Sequence, residues 1–399
     1  MLSMWRLSMS LFGRLHRYRP GMPEPTATST IRSTWYNGFS YVSACLGMLS
    51  VLSVLAFHFP QYLTTPELRE IYSETQVRLL LTIGMCVALI CGAIGLGLSK
   101  ARHFALLGIS LILLAWLAGG SGVPLEGPVR SARFYLSLDW MVLDLVLIAS
   151  LFISMERVSR LREQQGVFRL GWQLDLTHYV VNHLFNGLMI YLIYLPSQAV
   201  MNWLGFDTAG QVLAWPLPMQ VLAIVFVTDF AQYWVHRASH QLPLLWRFHK
   251  VHHSAEVMDW LAGSRLHFVD ILLTRSLVLI PMVVLGFSQE AINIYLPLLA
   301  LQSVFNHCNV NYPLGFLRKW VVTPQFHHWH HTRNAALIDK NFSVSLPLFD
   351  LLFGTYYCPR GKWPESYGLA QPEFDDSYYA HLVWPFQNKR LNDNVDTEN

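Results

Sequence analysis

Long apolar stretches limit the fold of this chain more than any other feature of its sequence. Crossing the hydrocarbon core of a bilayer as a helix takes about 20 mainly apolar residues. We count about eight stretches near that length, at 39–57, 77–98, 103–118, 134–154, 179–200, 216–235, 269–287 and 291–305. Only 13% of the residues are charged, against roughly 25% in an ordinary globular chain. The sequence therefore predicts an all-α fold that crosses a membrane about eight times.

The loops between these stretches differ in lysine and arginine content, and this difference predicts the orientation of the chain. With the N-terminus inside, the inside loops carry most of these cations, among them Arg14, Arg17, Arg19, Lys100, Arg102, Arg157 and Arg160. The N-terminus lacks the long apolar run of a cleaved secretory signal. We therefore expect a multi-pass protein of a bacterial inner membrane or of the endoplasmic reticulum, with the segments after residue 235 and after residue 305 on the cytoplasmic side.

Histidines are concentrated in one part of the chain. Eleven of the 17 histidines lie between His236 and His331, most of them in the clusters HRASH at 236–240, HKVHH at 249–253 and HHWHH at 327–331. His236 and His240 are four residues apart, which places both rings on one face of a helix. The other two clusters each offer histidines at i, i+3 and i+4. We expect the three imidazoles of each such cluster to converge on one side.

This number of imidazoles predicts a metal site. The clusters supply His236, His240, His249, His252, His253, His327, His330 and His331. Because a structural zinc site closes with four ligands, eight ligands indicate two metal ions. Imidazole suits zinc, copper, iron and nickel, so these residues do not identify the metal. By spacing alone, His267 and His307 fit a ligand and a packing role equally well, and His328 also stays open as a ligand.

Carboxylates near the clusters are candidates for orienting the histidine rings. Asp229 lies two helical turns before the first cluster, inside an apolar stretch, where an ionisable residue indicates function. Asp339 and Asp350 are further candidates, whereas Asp259 and Asp270 fit helix caps or surface charges at least as well. No cluster contains the glutamate of the HExxH zinc-protease signature.

A family resemblance rests on the whole series of motifs between residues 229 and 355: TDFAQYWVHRASH, LWRFHKVHHS, SRLH, FNHCN, TPQFHHWHH, DKNF and FDLLFGT. In this order and spacing they resemble the sterol desaturase / fatty acid hydroxylase superfamily of membrane di-iron oxygenases. The resemblance selects His327 rather than His328 and implies these ligands: His236, His240, His249, His252, His253, His267, His307, His327, His330 and His331. The chain departs from the family at residues 341–343, which read NFS instead of NYG, and at Phe349 instead of tryptophan. Both departures bear on subfamily and substrate.

The resemblance implies an oxidoreductase that holds two iron ions, uses O2 and hydroxylates or desaturates a C–H bond of a lipid taken from the bilayer. Asp229 and Asp339 are the expected orienters of the ligands, and we expect no other catalytic residue. Electrons would come from a separate reductase or carrier, since the sequence shows no CxxC pair and no GxGxxG fingerprint. The basic residues that suit such a carrier, or lipid headgroups equally well, are Arg237, Arg247, Lys250, Arg318 and Lys319.

We expect four regions: a cytoplasmic N-terminal segment (1–38), accessory transmembrane helices (39–170), a catalytic domain (171–358) with its histidines in a cytoplasmic helical cap, and a cytoplasmic tail (359–399). Two other functions stay open, a histidine-rich metal transporter and a zinc-dependent membrane hydrolase. A transporter usually keeps its ligands near the bilayer midplane on broken helices, and a hydrolase needs a base that the clusters lack. A net charge of +3, without a basic patch of interleaved aromatics, argues against nucleic acid as a partner.

Overall fold

The computed structural model describes residues 27–124, 135–205, 212–312, 315–371 and 374–387. Within these ranges the chain forms α-helices, short 3₁₀ helices and two isolated β-bridges, with no strand. The α-helices are α1 (Ala27–His58), α2 (Pro60–Leu63), α3 (Pro66–Ile71), α4 (Glu74–Leu98), α5 (Arg102–Leu117), α6 (Leu138–Val158), α7 (Trp172–Leu184), α8 (Asn186–Leu204), α9 (Leu217–Gln241), α10 (Pro243–His253), α11 (Phe268–Leu285), α12 (Gln289–His307), α13 (Pro324–His330), α14 (Leu348–Leu352) and α15 (Tyr378–Val383). The all-helical prediction is confirmed for this part of the chain. The predictions for residues 1–26 and 388–399 lie outside it.

The chain divides into two units, the first of which holds the residues up to Phe59 and Tyr72–Gly127. Its described helices α1, α4 and α5 pack around a core that includes Val54, Met85 and Ile112. Small residues let these helices approach closely. A Cβ atom on Gly108, for example, would lie 2.3 Å from Ser43 Oγ, so a larger residue has no room there.

The second unit holds Pro60–Ile71 and the residues from Pro128 on. In it, α9, α11 and α12 share a core that includes Ile224, Met282 and Tyr295, and α8 packs against α11. Asp139, at the start of α6, accepts hydrogen bonds from the backbone N–H and the hydroxyl of Thr65, which attaches α6 to the α2–α3 connection. All of the predicted metal ligands lie in this unit.

Five helices are long and apolar enough to cross a membrane: Tyr36–His58 of α1, then α4, then Arg102–Gly122 (α5 with the turn after it), α6 and α11. The pair α7 and α8 is a sixth candidate, but it is bent by 63°, which replaces the straight span predicted over 179–200. Helices α9 and α12 do form over the predicted spans 216–235 and 291–305, yet neither is among these candidates. Charged and amide side chains such as Asp229, Arg237, Glu290 and Asn306 lower their hydropathy. The described residues support a multi-pass membrane protein with five candidate spans, or six with the bent pair, and the predicted eight are not confirmed.

Two short helices carry histidines to the C-terminal end of α9. Both α10 and α13 begin with a proline, Pro243 and Pro324, at the position where a missing N–H removes no helical hydrogen bond. Thr323 caps α13 by accepting the Phe326 N–H at 3.2 Å. Helix α12 ends at His307 and so delivers that ring to the same place.

Residues 374–387 fall in the predicted C-terminal tail and pack within the second unit. His381 and Trp384 are buried, and the Phe386 ring lies 5.4 Å from that of Phe248 on α10. The Gln387 carbonyl accepts a hydrogen bond from the Arg247 guanidinium. This part of the chain therefore contributes to the surroundings of the histidine-bearing helices.

Candidate metal centre

Two groups of buried imidazoles lie next to each other in the second unit. Group A consists of His236, His240, His249, His253 and His330, and group B of His252, His307, His327 and His331. Within each group, one ring nitrogen from every residue lies within 4.8 Å of the others. The rings of His253 and His331 stack across the boundary, with their centroids 4.5 Å apart. The structure thus brings nine of the ten predicted ligands together.

The two pairs of adjacent histidines that belong to the groups are each divided between them. His252 belongs to group B and His253 to group A, while His330 belongs to group A and His331 to group B. Successive side chains on a helix point roughly 100° apart, whereas residues four apart point the same way. The prediction that all three imidazoles of a cluster converge on one side is therefore wrong. Only the i, i+4 pairs converge, and the i+3 histidine turns to the other group.

In group A, four of the rings have oxygen partners for their outward nitrogens. Nδ1 lies near the Phe342 carbonyl for His236 (2.7 Å), the Asp270 carboxylate for His249 (3.0 Å), the Lys340 carbonyl for His330 (2.8 Å) and the Asp339 carboxylate for His240 (3.4 Å). Since oxygen partners of this kind accept, Nδ1 carries the proton and donates. Nε2 is then left as a lone pair that faces the middle of the group.

In group B, two of the four rings also have an oxygen partner for Nδ1. Nδ1 of His252 lies 3.3 Å from the Arg265 carbonyl, and Nδ1 of His307 lies 2.8 Å from the Ser303 carbonyl. The Nδ1 atoms of His327 and His331 are buried and have no hydrogen-bond partner among the described residues. The Nε2 atoms of His307 and His327 are 3.1 Å apart, as are those of His327 and His331.

This arrangement fits two cations. With the proton on Nδ1, the Nε2 atoms of His236 and His249, 3.1 Å apart, present two lone pairs to each other, and a cation between them turns repulsion into coordination. Nε2 of His330 is buried with no hydrogen-bond partner among the described residues. Burial and the neighbouring imidazoles lower the pKa of His253 and of His331 well below the usual value. These two rings are therefore neutral at physiological pH, which is the form that binds a metal.

A buried ionic network supports group B from outside the histidine clusters. The Arg265 guanidinium bonds Asp175 of α7 at 2.5 Å and Asp376 at 3.1 Å, while the carbonyl of the same residue accepts from His252. Arg169 pairs with Asp175 and also with Asp259, the latter at 2.7 Å. Because Arg265 is held at both ends, its carbonyl is fixed in position relative to the His252 ring.

The loop after Asp259 supports the His307 ring. The carboxylate of Asp259 accepts the N–H groups of Leu261 and Ala262, each at 3.0 Å. The next residue, Gly263, faces the imidazole so closely that a Cβ atom there would lie 2.8 Å from Nδ1 of His307. A residue without a side chain is therefore required at position 263.

Two further aspartates organise the loop that carries the Phe342 carbonyl. Asp229 accepts the backbone N–H groups of Val344, Ser345 and Leu346, at 3.2, 2.8 and 2.8 Å, and so does not bond a histidine as predicted. Asp350 accepts those of Phe342 and Ser343, at 2.8 and 2.9 Å. Both carboxylates thus act on group A through the loop backbone, which orients His236.

His267, the tenth predicted ligand, lies outside both groups. Its Nδ1 accepts the Val269 N–H at 3.1 Å and caps α11, and its Nε2 lies 3.2 Å from the Leu382 carbonyl. His328, which spacing left open, bonds the Tyr367 hydroxyl at 2.9 Å and lies 3.3 Å from the His307 carbonyl.

Several residues that position the ligands were missed or weighed too low. Asp270, for which the sequence fitted a helix cap or surface charge at least as well as a role in orienting a ligand, holds His249. No spacing in the sequence relates Asp175, Arg265 or Gly263 to a histidine. Burial of charge in an apolar segment was the one signal that did apply, at Asp229.

Comparison with known proteins adds a family to this geometry. Residues 221–355 match the family model described as fatty acid hydroxylase. An ornithine lipid hydroxylase (OlsE) of Rhizobium tropici is 31% identical over 175 residues, which are 44% of this chain and 53% of the relative. Human alkylglycerol monooxygenase is 30% identical over 160 residues, covering 40% of this chain and 35% of the relative.

A more distant relative is a very-long-chain aldehyde decarbonylase (GL1-5) of Oryza sativa subsp. indica, 24% identical over 263 residues, 61% of this chain and 40% of the relative. The matched part of the chain thus spans about half of these curated relatives or less. No solved structure matches the chain significantly.

Proposed function

Residues 221–355 belong to the fatty acid hydroxylase family, and from this premise we propose that the protein is a membrane di-iron oxygenase that hydroxylates, or desaturates, a C–H bond of a lipid. The observation that carries the proposal is the pair of adjacent groups made of imidazole alone. Nitrogen ligands of this kind suit iron, and two neighbouring groups provide for two ions. The relatives named as a lipid hydroxylase and a monooxygenase support the same reaction class.

Bound iron would supply the reductive activation of O2, so that C–H, O2, two electrons and two protons give C–OH and water. The chain itself has three tasks. Oxygen acceptors on Nδ1 hold the ligand rings in one tautomer and one orientation. Burial of nearly all the rings keeps bulk water away from the reacting atoms. The helices α9, α10, α12 and α13 fix the distance between the two groups.

The proposed function also includes a substrate, a side of the membrane and an electron donor. The substrate is a bilayer lipid, and ornithine lipids and ether lipids are the first classes to test, because the named relatives act on such molecules. The groups lie on the cytoplasmic side, as the cations Lys100, Arg102 and Arg157 predict from their loops. A separate electron-transfer protein supplies the electrons one at a time.

The geometry disfavours a zinc-dependent hydrolase and a metal transporter. Neither group contains a carboxylate, so a hydrolase would have no base beside the metal among the described residues. The ligands converge from four helices at the ends of α9 and α12, whereas a transporter usually binds its ion near the membrane midplane.

Metal content and product together test the proposal. We would purify the full chain, count metals by plasma mass spectrometry, and compare wild type with His330→Ala (group A) and His252→Ala (group B). We expect about two irons in the wild type and fewer in each variant. Reduced protein supplied with ¹⁸O2 and extracted lipids should then release a lipid that carries ¹⁸O.

The controls separate the three functions. His328→Ala changes a buried histidine outside both groups and should keep both metals. Two irons with no ¹⁸O in any lipid, or metal content that the ligand variants leave unchanged, would overturn the oxygenase. Metal-dependent ester or amide cleavage without O2 would indicate the hydrolase.

A further inference from the structure

One short segment of the second unit exposes several large apolar side chains together with two cations. It consists of residues 315–321, which read GFLRKWV and include the 3₁₀ helix Gly315–Lys319. The side chains of Phe316 and Trp320 are 78% and 70% exposed, and those of Leu317 and Val321 are also exposed. No residue of the 3₁₀ helix is buried. Such a patch in a folded domain marks a surface that meets something else.

The C-terminal end of this segment is attached to the folded core. Val322, directly after it, is fully buried in a core with Phe326 and Cys358. The Val322 N–H donates to the Ser345 carbonyl at 2.9 Å, and its carbonyl accepts from the Gln302 amide on α12 at 2.9 Å. The exposed Trp320 therefore lies two residues before a buried attachment point.

We propose that residues 315–321 are an interfacial anchor, with Phe316 and Trp320 inserted at the headgroup level of a bilayer that carries anionic lipids. The mixture of side chains favours this partner over others. Tryptophan is enriched where a protein meets the membrane interface. Arg318 and Lys319 suit phosphate groups at the same depth, because cations near an anionic membrane surface strengthen binding to it. The exposed Lys319 between apolar neighbours is unsuited to the bilayer core and to a dry protein–protein contact.

The place of the segment in the chain supports the same partner. It follows α12, whose last residue is His307 of group B, and it precedes α13, which carries ligands of both groups. Helix α12 also exposes apolar side chains, among them Leu298, and Gln302 links that helix to Val322, directly after the segment. The anchor would therefore hold two ligand-bearing elements at a constant depth relative to the membrane surface. This inference concerns membrane contact and does not depend on the reaction.

Site-specific photocrosslinking of the full chain tests the anchor. Phe316 is replaced by benzoylphenylalanine, and the protein is placed in nanodiscs of phosphatidylcholine with or without phosphatidylglycerol. We expect phospholipid adducts on the peptide that holds residue 316, found by mass spectrometry. Adding Lys319→Glu should lower their yield several-fold in the anionic discs and leave it unchanged in the neutral ones.

The same photoprobe at Leu80, which is 68% exposed on the membrane-span candidate α4, serves as the positive control. Adducts at Leu80 without adducts at Phe316 would overturn the anchor. Crosslinks from residue 316 to a second copy of the chain would overturn it in favour of a self-association surface. Metal content is measured in parallel, so that a loss of folding in a variant is recognised.

Discussion

The Asp270 carboxylate lies 3.0 Å from Nδ1 of His249, and the two residues belong to different helices, α11 and α10. The aspartate is nearly buried and sits in the first turn of its helix. A buried carboxylate at this distance fixes the orientation of the ring and strengthens the opposite nitrogen, which faces group A, as a metal ligand. Helix α11 thus contributes to the candidate metal centre without supplying a ligand.

We therefore expect Asp270→Asn to weaken the metal in group A. The amide keeps the shape of the side chain but lacks the charge, and loss of such a partner typically lowers metal affinity about 10- to 100-fold. Competition with a chelator measures the change for each of the two metals. Asp376→Asn, which alters an exposed carboxylate on the group B side, is the control. An unchanged group A affinity would show that the Asp270 contact does not tune the metal.

Gly263→Ala should remove the metal of group B and spare that of group A. The added Cβ would lie 2.8 Å from Nδ1 of His307, and that ring cannot move aside without leaving the Ser303 carbonyl and its own group. We expect about one metal per chain instead of two. Gly97→Ala is the matched control, because a Cβ there meets nothing within 4 Å. Two metals in Gly263→Ala would mean that the His307 ring can shift without loss of binding.

His267→Ala and His307→Ala should behave differently, although spacing alone treated the two residues alike. His267 caps α11, so its loss should lower the free energy of unfolding by about 1 kcal/mol and leave both metals bound. His307→Ala should lose the metal of group B. Metal counting together with thermal unfolding distinguishes the two outcomes. Loss of a metal from His267→Ala would restore that residue to the ligand set.

Asp229→Asn should destabilise the fold more than an ordinary surface substitution. The carboxylate accepts three backbone N–H groups, and an amide turned towards them would leave at least one without an acceptor. Loss of hydrogen bonds to a buried charge is worth about 2–3 kcal/mol. We expect a lower melting temperature and a weaker group A metal, since the same loop carries the carbonyl that bonds His236. Unchanged melting would show that Val344, Ser345 and Leu346 do not need this acceptor.

Stability should fall with acidification, and His381 should account for part of the loss. Burial, with the neighbouring His178 ring and Arg265, lowers the pKa of His381 from 6.5 to about 2. The unfolded chain therefore takes up a proton below pH 6.5 that the folded chain refuses, and one such proton changes stability by about 1.4 kcal/mol per pH unit. The effect is absent above pH 6.5 and grows as the pH falls.

His381→Gln should show the smaller slope of stability against pH between 6 and 5. Comparing it with the wild type removes the contribution of the metal ligands, which also protonate in acid. Equal slopes for the two proteins would mean that His381 is protonated without penalty in the folded state.

The sequence by itself determined the class of fold and most of the candidate ligands. Apolar length predicted a helical membrane protein. The predicted count of eight spans is not confirmed at helices α9 and α12, whose polar residues lower their hydropathy, and at the bent pair α7 and α8. The clustered histidines indicated two metals, because eight imidazoles exceed the need of one ion. These inferences rely on composition and on helical spacing, which are local properties of the chain.

Only the tertiary structure decided how the imidazoles are shared and what orients them. It paired His249 with His253 and turned His252 to the other group, because ligands from three helices surround each centre and a helix presents adjacent residues in different directions. In the structure, His267 caps a helix and Asp270 contacts His249. It also placed Gly263 against the His307 ring, and it joined Asp175 to Arg265, whose carbonyl accepts from His252. Such contacts depend on how distant segments pack together, and no local pattern of residues records that.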